Sequence, residues 1–395
     1  AAEALRRLAP GVLSEALARR APALSPMRLA GAAEIARVGE ALTPTELTVD
    51  GSAGGSRVSG RMTPAADGRL QARLVIEAAN GATLLSQLGA PVFDATGVGA
   101  GRIEAQTLGR AGEPADARID ARIGEATLGF VGKLGLDLEH PRLDGAATLR
   151  SADLGPLLRG LMLDVSDPTA RTPAELAGRA AYGDGRLTLE GVAGVIDGAR
   201  IAGGLTRDAG GALSGALKLD HLSLPWLAGL VLGPPQPARA GALWSELRFA
   251  PDALEPPPLR LAVEAAGVTL MPGLVGKDAR ATIEVAPGRL VLSDAGADVA
   301  GARVEGRMNL RRDGAEANVA GQARIAGLAL DLPSLKGRFS LNTDFAGGGA
   351  SAAALIGSLA GGGGGEAVDL RLPSSDPAAG GRVAEAAEAE SIGGD

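Results

Sequence analysis

The chain has 395 residues, a formal net charge of −7 and no cysteine. Its length exceeds what one ordinary core supports, so two domains or one elongated repetitive body are expected. The missing cysteine excludes disulfides, thiolate metal sites and cysteine nucleophiles. Scattered basic residues in an acidic chain argue against a nucleic-acid-binding surface. Hydrophobic residues make up 46% of the sequence but only eight residues are aromatic, so small aliphatic side chains must line any apolar surface.

Residues 1–45 are predicted to form a helical lead-in. Leu5, Leu8 and Val12 follow helical spacing, with a break at Pro10. No basic segment followed by an apolar stretch is present, so no secretion signal is predicted.

From residue 46 onward, alternation of aliphatic and polar residues predicts strands, because successive side chains of a strand point to opposite faces. The clearest run is 302–311, where Val304, Met308 and Leu310 alternate with charged and amide residues. The pattern defines a first β-rich section over 46–233 and a second over 259–372. Dipeptides such as Asp313-Gly314 separate the runs, as hairpins require.

One hairpin motif recurs at irregular intervals, over 55–60, 198–203 and 301–306. Each copy begins and ends with glycine and places an arginine at its third position. The irregular spacing favours a repeated hairpin with insertions over a strict solenoid. The arginine is interpreted as a solvated or cross-strand pairing residue.

Short helices are predicted between the strands, where they would plug or flank the ends of the sheet. The signals are leucines at helical spacing near Leu84, behind Asp153 and behind Ser351, and an opening at Ser223. The Pro-rich segment 234–258 is predicted as a soft boundary. The same strand pattern on both sides argues against two independent domains.

The C-terminal part is predicted to end the β structure. Residues 361–365 are glycines, interpreted as a linker, and the acidic, Ala-rich tail 373–395 as poorly ordered or as a truncated helix. The longest near-apolar stretch, 222–233, is shorter than the roughly 20 residues that span a bilayer. Any membrane anchor is therefore expected outside this chain.

The pattern predicts a mostly β fold: an elongated antiparallel sheet with short flanking helices. The apolar face either lines an open groove or closes on itself as a filled core; the pattern alone leaves both open. The residues predicted to line such a groove are Leu187, Leu189, Leu217, Leu219, Leu259, Leu261, Val263, Ile283, Val285, Val304, Met308, Leu310, Phe339 and Leu341.

The repeated hairpins, together with the motifs 337–341, 345–351 and 355–361, resemble the AsmA-like family of bacterial envelope proteins. The resemblance covers roughly 45–380 and identifies the chain as an internal or C-terminal fragment of a longer protein. It implies a periplasmic location, anchorage to the inner membrane through a segment outside this chain, and an unidentified partner at the outer membrane. It also implies that the sheet is curled into a taco-like groove, which shields acyl chains for phospholipid transfer between the two membranes in support of the outer membrane.

No enzyme, cofactor or metal site is predicted. His140 and His221 lie far apart without metal-ligand spacing, and the nucleophile-elbow motif is missing. The alternative function is a structural β-solenoid or adhesin-like stalk with a filled core and no lipid conduit. An outer-membrane barrel would need aromatic girdles, which eight aromatic residues do not supply.

Overall fold

The computed structural model describes residues 22–38, 41–90, 92, 96–110, 112–135, 141–161, 171–233, 236–249, 256–271, 273–332 and 335–371. Within these residues the fold is mostly β, with nineteen strands in one sheet and a few short helices. The sheet is curled into a groove, as the predicted fold class has it.

The first twelve strands precede the Pro-rich boundary. They are β1 (Met27–Val38), β2 (Ala41–Ala53), β3 (Ser56–Pro64), β4 (Leu70–Ala78), β5 (Gly101–Gly109), β6 (Ala115–Ile123), β7 (Ala126–Gly135), β8 (Arg142–Ser151), β9 (Ala174–Gly183), β10 (Arg186–Ile196), β11 (Ala199–Arg207) and β12 (Leu213–Ser223). The seven that follow are longer on average. They are β13 (Leu259–Met271), β14 (Leu274–Ala286), β15 (Arg289–Val299), β16 (Ala302–Asp313), β17 (Glu316–Leu332), β18 (Leu335–Gly349) and β19 (Ala360–Arg371).

Each strand pairs with the next one in the chain, and neighbours run antiparallel with a single exception. The exception is the parallel pair of β12 and β13, which places Leu217 opposite Val263. A parallel pair needs a crossover connection, and residues 224–258 supply it. The sheet therefore runs without interruption across the predicted boundary at 234–258.

Four short helices lie in connections between strands. They are α1 (Gly81–Gln87), α2 (Gly155–Gly160), α3 (Leu224–Leu232) and α4 (Ala352–Gly357). Side chains at Asn80, Ser223 and Ser351 accept hydrogen bonds from the first turns of α1, α3 and α4, which satisfies backbone donors that would otherwise be unpaired. Of the helices in the described ranges, none is long and apolar enough to cross a bilayer.

Two predictions from local sequence are wrong. Residues 27–38 are β1 rather than part of a helical lead-in, because twelve residues of this Ala-rich segment pair with β2. The glycines at 361–365 belong to β19 rather than to a linker, because they pair with β18. In both segments pairing with a neighbouring strand overrides local propensity. The predicted helix over 1–21 and the tail 373–395 lie outside the described residues.

Candidate functional site

One face of the sheet carries an apolar row that crosses every strand. Following the cross-strand pairs from β1 to β19 gives one residue per strand, which we call the central row. Only one of its members, Thr107, has a polar side chain, and none is charged. The central row consists of Ala33, Leu47, Met62, Ala72, Thr107, Ala117, Gly132, Gly145, Ala180, Leu189, Leu205, Gly215, Leu261, Ile283, Leu292, Met308, Gly321, Phe345 and Gly361.

A second row runs beside it on the same face, four residues away along β2. This row extends from β2 to β14 and contains only aliphatic residues and glycine. It consists of Gly51, Val58, Ile76, Ile103, Ala121, Leu128, Leu149, Leu176, Gly194, Ile201, Leu219, Ala265 and Ala279. The two rows make the inner face a continuous apolar surface.

Phenylalanine rings cover three of the five glycine positions of the central row, namely Gly132, Gly145 and Gly321. A Cβ added to Gly132 or Gly145 would lie 2.8 Å from the Phe130 ring, and one added to Gly321 would lie 2.5 Å from the Phe345 ring. The rings therefore occupy space that side chains at these positions would need. This arrangement fills the gaps in the row without adding polar atoms, as aromatic residues do beside glycine in other sheets.

The outer face carries the charges, arranged as cross-strand ion pairs. Arg179 on β9 forms a bidentate pair with Asp144 on β8, at 2.6 and 2.8 Å, and this hydrogen bonding holds the pKa of Asp144 below its ordinary value. Lys218 on β12 lies 3.0 Å from Glu264 on β13, across the parallel pair. These pairs are exposed, so they favour the strand register more than they add stability.

The inner face of β2–β12, the open section, is partly accessible to solvent. Val49, Leu74 and Leu128 are 39%, 40% and 39% exposed, although all three lie on the inner face. Within the described residues no helix packs across the middle of this section. An aliphatic surface of this extent, left half-exposed, is the kind of surface that binds a partner or ligand.

One end of the open section is closed by α1 and α2. These helices cover the strand ends at Ala78, Ile123, Ala126 and Ala174, all of which are buried. Closure at one end leaves the remainder of the inner face as a trough.

Asp153 stabilises the connection that contains α2. Its Oδ1 accepts hydrogen bonds from the backbone N–H groups of Gly155 and Thr172, at 2.9 and 3.1 Å. Partial burial raises the pKa of this carboxyl, but the two backbone hydrogen bonds and nearby arginines outweigh it, so its pKa lies below the ordinary value.

The inner face of β13–β17, the filled section, is covered by α3. Leu227, Leu230 and Val231 of this helix are at most 3% exposed. They pack against strand residues that are themselves buried, and α4 contributes Leu355 to the same cluster. The buried strand residues are Val263, Ile283, Val285, Leu290, Leu292, Leu310, Ala317 and Val319. This section has a closed core like that of an ordinary globular protein.

The Arg312 side chain binds the C-terminal end of α3. Its Nη1 donates to the carbonyl oxygen of Leu232, the last residue of the helix, at 2.7 Å, and its Nε donates to that of Gly314 at 2.9 Å. The guanidinium lies 5.8 Å from the centre of the Phe249 ring. A cation at a helix C-terminus is electrostatically favourable, so Arg312 stabilises the covered state. Burial lowers its pKa.

An apolar cavity of about 210 Å³ adjoins the filled section. Its walls include Leu224 and Leu227 from α3, and Val304, Met308 and Phe345 from the strands. A cavity of about 150 Å³ with similar walls accommodates benzene. This one has room for a short hydrocarbon segment.

A larger concavity of about 840 Å³ lies against the outer surface of β14–β19. Its lining includes Arg307, Arg324, Glu305 and Asp344, so it carries charges of both signs. Such a polar surface does not suit hydrocarbon, and the inner face is the better candidate site.

All fourteen predicted lining residues lie on the inner face, but the structure divides them between different environments. Val263, Ile283, Val285 and Leu310 are buried in the α3 cluster. Packed against that cluster are Leu219, Leu259, Leu261 and Met308. The others are half-buried or exposed, namely Leu187, Leu189, Leu217, Val304, Phe339 and Leu341.

Sequence reasoning did not predict that α3 covers part of the inner face. The prediction named a helix opening at Ser223 but assigned such helices to the ends of the sheet. The near-apolar stretch 222–233 was the available signal, since a helix that is apolar on all sides is usually buried. It also missed Leu74, Ile103, Leu128 and Leu149, whose alternation was as clear.

His221 is exposed, and its Nε2 lies 2.8 Å from the Thr269 hydroxyl on the adjacent strand. The prediction for His140 lies outside the described residues.

Compared with protein-family models, curated proteins and solved structures, the chain matches none of them at a significant level. The resemblance to the AsmA-like family therefore stays a prediction.

Proposed function

We propose that this protein shields phospholipid acyl chains in the trough of its open section. The observation that carries the proposal is the central row, which crosses all the described strands without a charge and is only partly covered in β2–β12. Across the eleven strands of the open section, ten spacings of ~4.8 Å amount to about 50 Å.

Exposing hydrocarbon to water costs free energy. Each CH₂ group withdrawn into water costs about 0.8 kcal/mol, so a chain of ~16 carbons faces more than 10 kcal/mol. A row in which each position resembles the next lowers this cost without creating a deep minimum. Aliphatic residues and glycine offer no polar group that would hold a lipid at one position.

The lipid headgroup sets a second requirement. A charged headgroup cannot leave water without a large loss of free energy. A groove with an accessible inner face meets the requirement because the acyl chains lie inside and the headgroup stays in solvent. The proposed location is the periplasm and the proposed role is transfer between the inner and outer membranes; both rest on the family resemblance.

A filled structural stalk is the second candidate function, and the α3 cluster favours it for β13–β17. The two functions differ in the open section. A stalk needs no hydrocarbon there, whereas a lipid carrier does.

The test measures phospholipid bound to the purified chain by mass spectrometry after incubation with phospholipid vesicles. Leu128→Glu places a charge in the trough, and Val131→Glu places the same charge on the outer face of the same strand, where Val131 is 59% exposed. We expect Leu128→Glu to lose most of the bound lipid and Val131→Glu to retain it, with equal thermal stability. Equal lipid content in both variants and the parent protein would contradict the proposal.

Charge at Ile283 is not a suitable test, because this side chain is 2% exposed beneath α3. An unpaired buried charge would destabilise the filled section whether or not lipid binds.

A further inference from the structure

In the part of the sheet that the structure describes, the two outermost strands are β1 and β19, and each leaves one edge unpaired. Within the described residues each of them pairs only with its single neighbour. Nearly every described side chain of both strands is exposed. Neither strand contains the proline or lysine that commonly protects edges from association.

The strand directions make these two edges complementary. Every pairing in the sheet reverses direction except that of β12 with β13. An odd number of reversals therefore separates β1 from β19, and the two strands run in opposite directions. A second copy in the same orientation would place its β1 antiparallel to β19 of the first. Had β12 and β13 been antiparallel, this junction would have been parallel.

The side chains match as well. Continuing the central row across the junction places Gly361 of one copy opposite Ala33 of the next. The same register places Ala367 opposite Met27 on the inner face, and Glu366 opposite Arg28 on the outer face. The pairing thus extends both the apolar inner surface and the pattern of outer ion pairs.

We propose that copies of this chain associate head to tail through β19 of one copy and β1 of the next. The junction is heterologous, so it forms open chains of copies rather than a closed dimer. A single strand pair buries little surface, so association is weak and depends on protein concentration. The proposal does not depend on whether the trough binds lipid.

Cysteine cross-linking of the full chain tests the register, since the sequence contains no cysteine. In the variant Met27→Cys/Ala367→Cys, the two thiols face each other across the junction. We expect mild oxidation to give a ladder of dimers, trimers and larger species that a reducing agent abolishes. The control Ala32→Cys/Ala367→Cys puts the thiols on opposite faces and should give far less product.

Sedimentation across a range of concentrations provides the second test. Arg28→Glu or Glu366→Arg should raise the concentration needed for association by about two- to fivefold, and the double variant should restore it. Arg150→Glu, which changes an exposed ion pair in the sheet interior, should have no effect on association. A monomer at all concentrations, a dimer that grows no further, or an internally cross-linked monomer would overturn the proposal. Internal cross-linking would show that the two edges meet within one copy.

Discussion

The open and filled sections are built from strands of the same pattern but bury their inner faces differently. In β2–β12, inner residues such as Leu128 are 39% exposed. In β13–β17, the second-row residue Ala279 is 7% exposed and Ile283 of the central row is 2% exposed. The difference comes from the crossover at 224–258, which places α3 on the inner face. Whether an amphipathic sheet becomes a trough or a core therefore depends on its connections.

The connections of the open section behave differently because α1 and α2 stay at the strand ends. Both are short, and they cover residues near the strand ends, such as Ile123 and Ala174. The chain can therefore combine an accessible surface with a conventional core.

The largest difference between the two sections is expected when one leucine is truncated in each. Leu290 is 0% exposed, so Leu290→Ala should lower the free energy of unfolding by about 2–5 kcal/mol. Leu128→Ala should lower it by less than about 1.5 kcal/mol, because that side chain is already partly solvated. Urea denaturation of both variants checks this. Similar losses would mean that the two sections are equally packed.

The next effect concerns what holds α3 over the filled section. Arg312→Met removes two hydrogen bonds to carbonyl oxygens and should cost about 1.5–3 kcal/mol. It should also increase binding of a hydrophobic dye, since α3 would be less firmly held. Arg312→Lys keeps the charge, so its stability and dye binding should lie between those of the parent protein and those of Arg312→Met. If Arg312→Met left both stability and dye binding unchanged, α3 would not depend on this contact.

A smaller, pH-dependent effect is expected at the closed end of the open section. The pKa of Asp153 lies below its unfolded value, which is near 3.9. Its contribution to stability is therefore fully present above the unfolded pKa and is lost as pH falls through the folded pKa. Asp153→Asn should be less stable than the parent protein at pH 7, and this difference should shrink below about pH 4.

Urea midpoints measured from pH 7 to pH 3 check the Asp153 prediction. Asp116→Asn is the matched control, because the ion pair of Asp116 with Lys133 is exposed on the outer face. A difference between Asp153→Asn and the parent that grows on acidification would contradict the assignment.

The smallest effect is expected on the outer face, which the two sections share. Arg179→Gln removes the bidentate pair with Asp144, yet both groups are exposed. We expect a slight fall in the thermal midpoint at low salt that disappears at high salt. A large, salt-independent loss would show that outer ion pairs, rather than the inner face, stabilise the sheet.

The strands were predictable from sequence because alternation is a local signal. The run at 302–311 falls within β16, and the short helices appear where caps such as Ser351 predicted them. Three features depended on pairing or packing with another element and were not predictable in this way. Pairing with β2 makes 27–38 a strand, pairing with β18 does the same for 361–365, and packing on five strands turns α3 into a cover for the inner face.

The most direct test of the account is photo-cross-linking of bound phospholipid from defined positions. A benzophenone amino acid replaces Leu128 in the trough, Val131 on the outer face, or Trp226 on the exposed side of α3, which is 39% exposed. We expect lipid adducts at position 128 and few at positions 131 and 226. Equal yields at the three positions, or none at position 128 in a protein that carries lipid, would contradict the account.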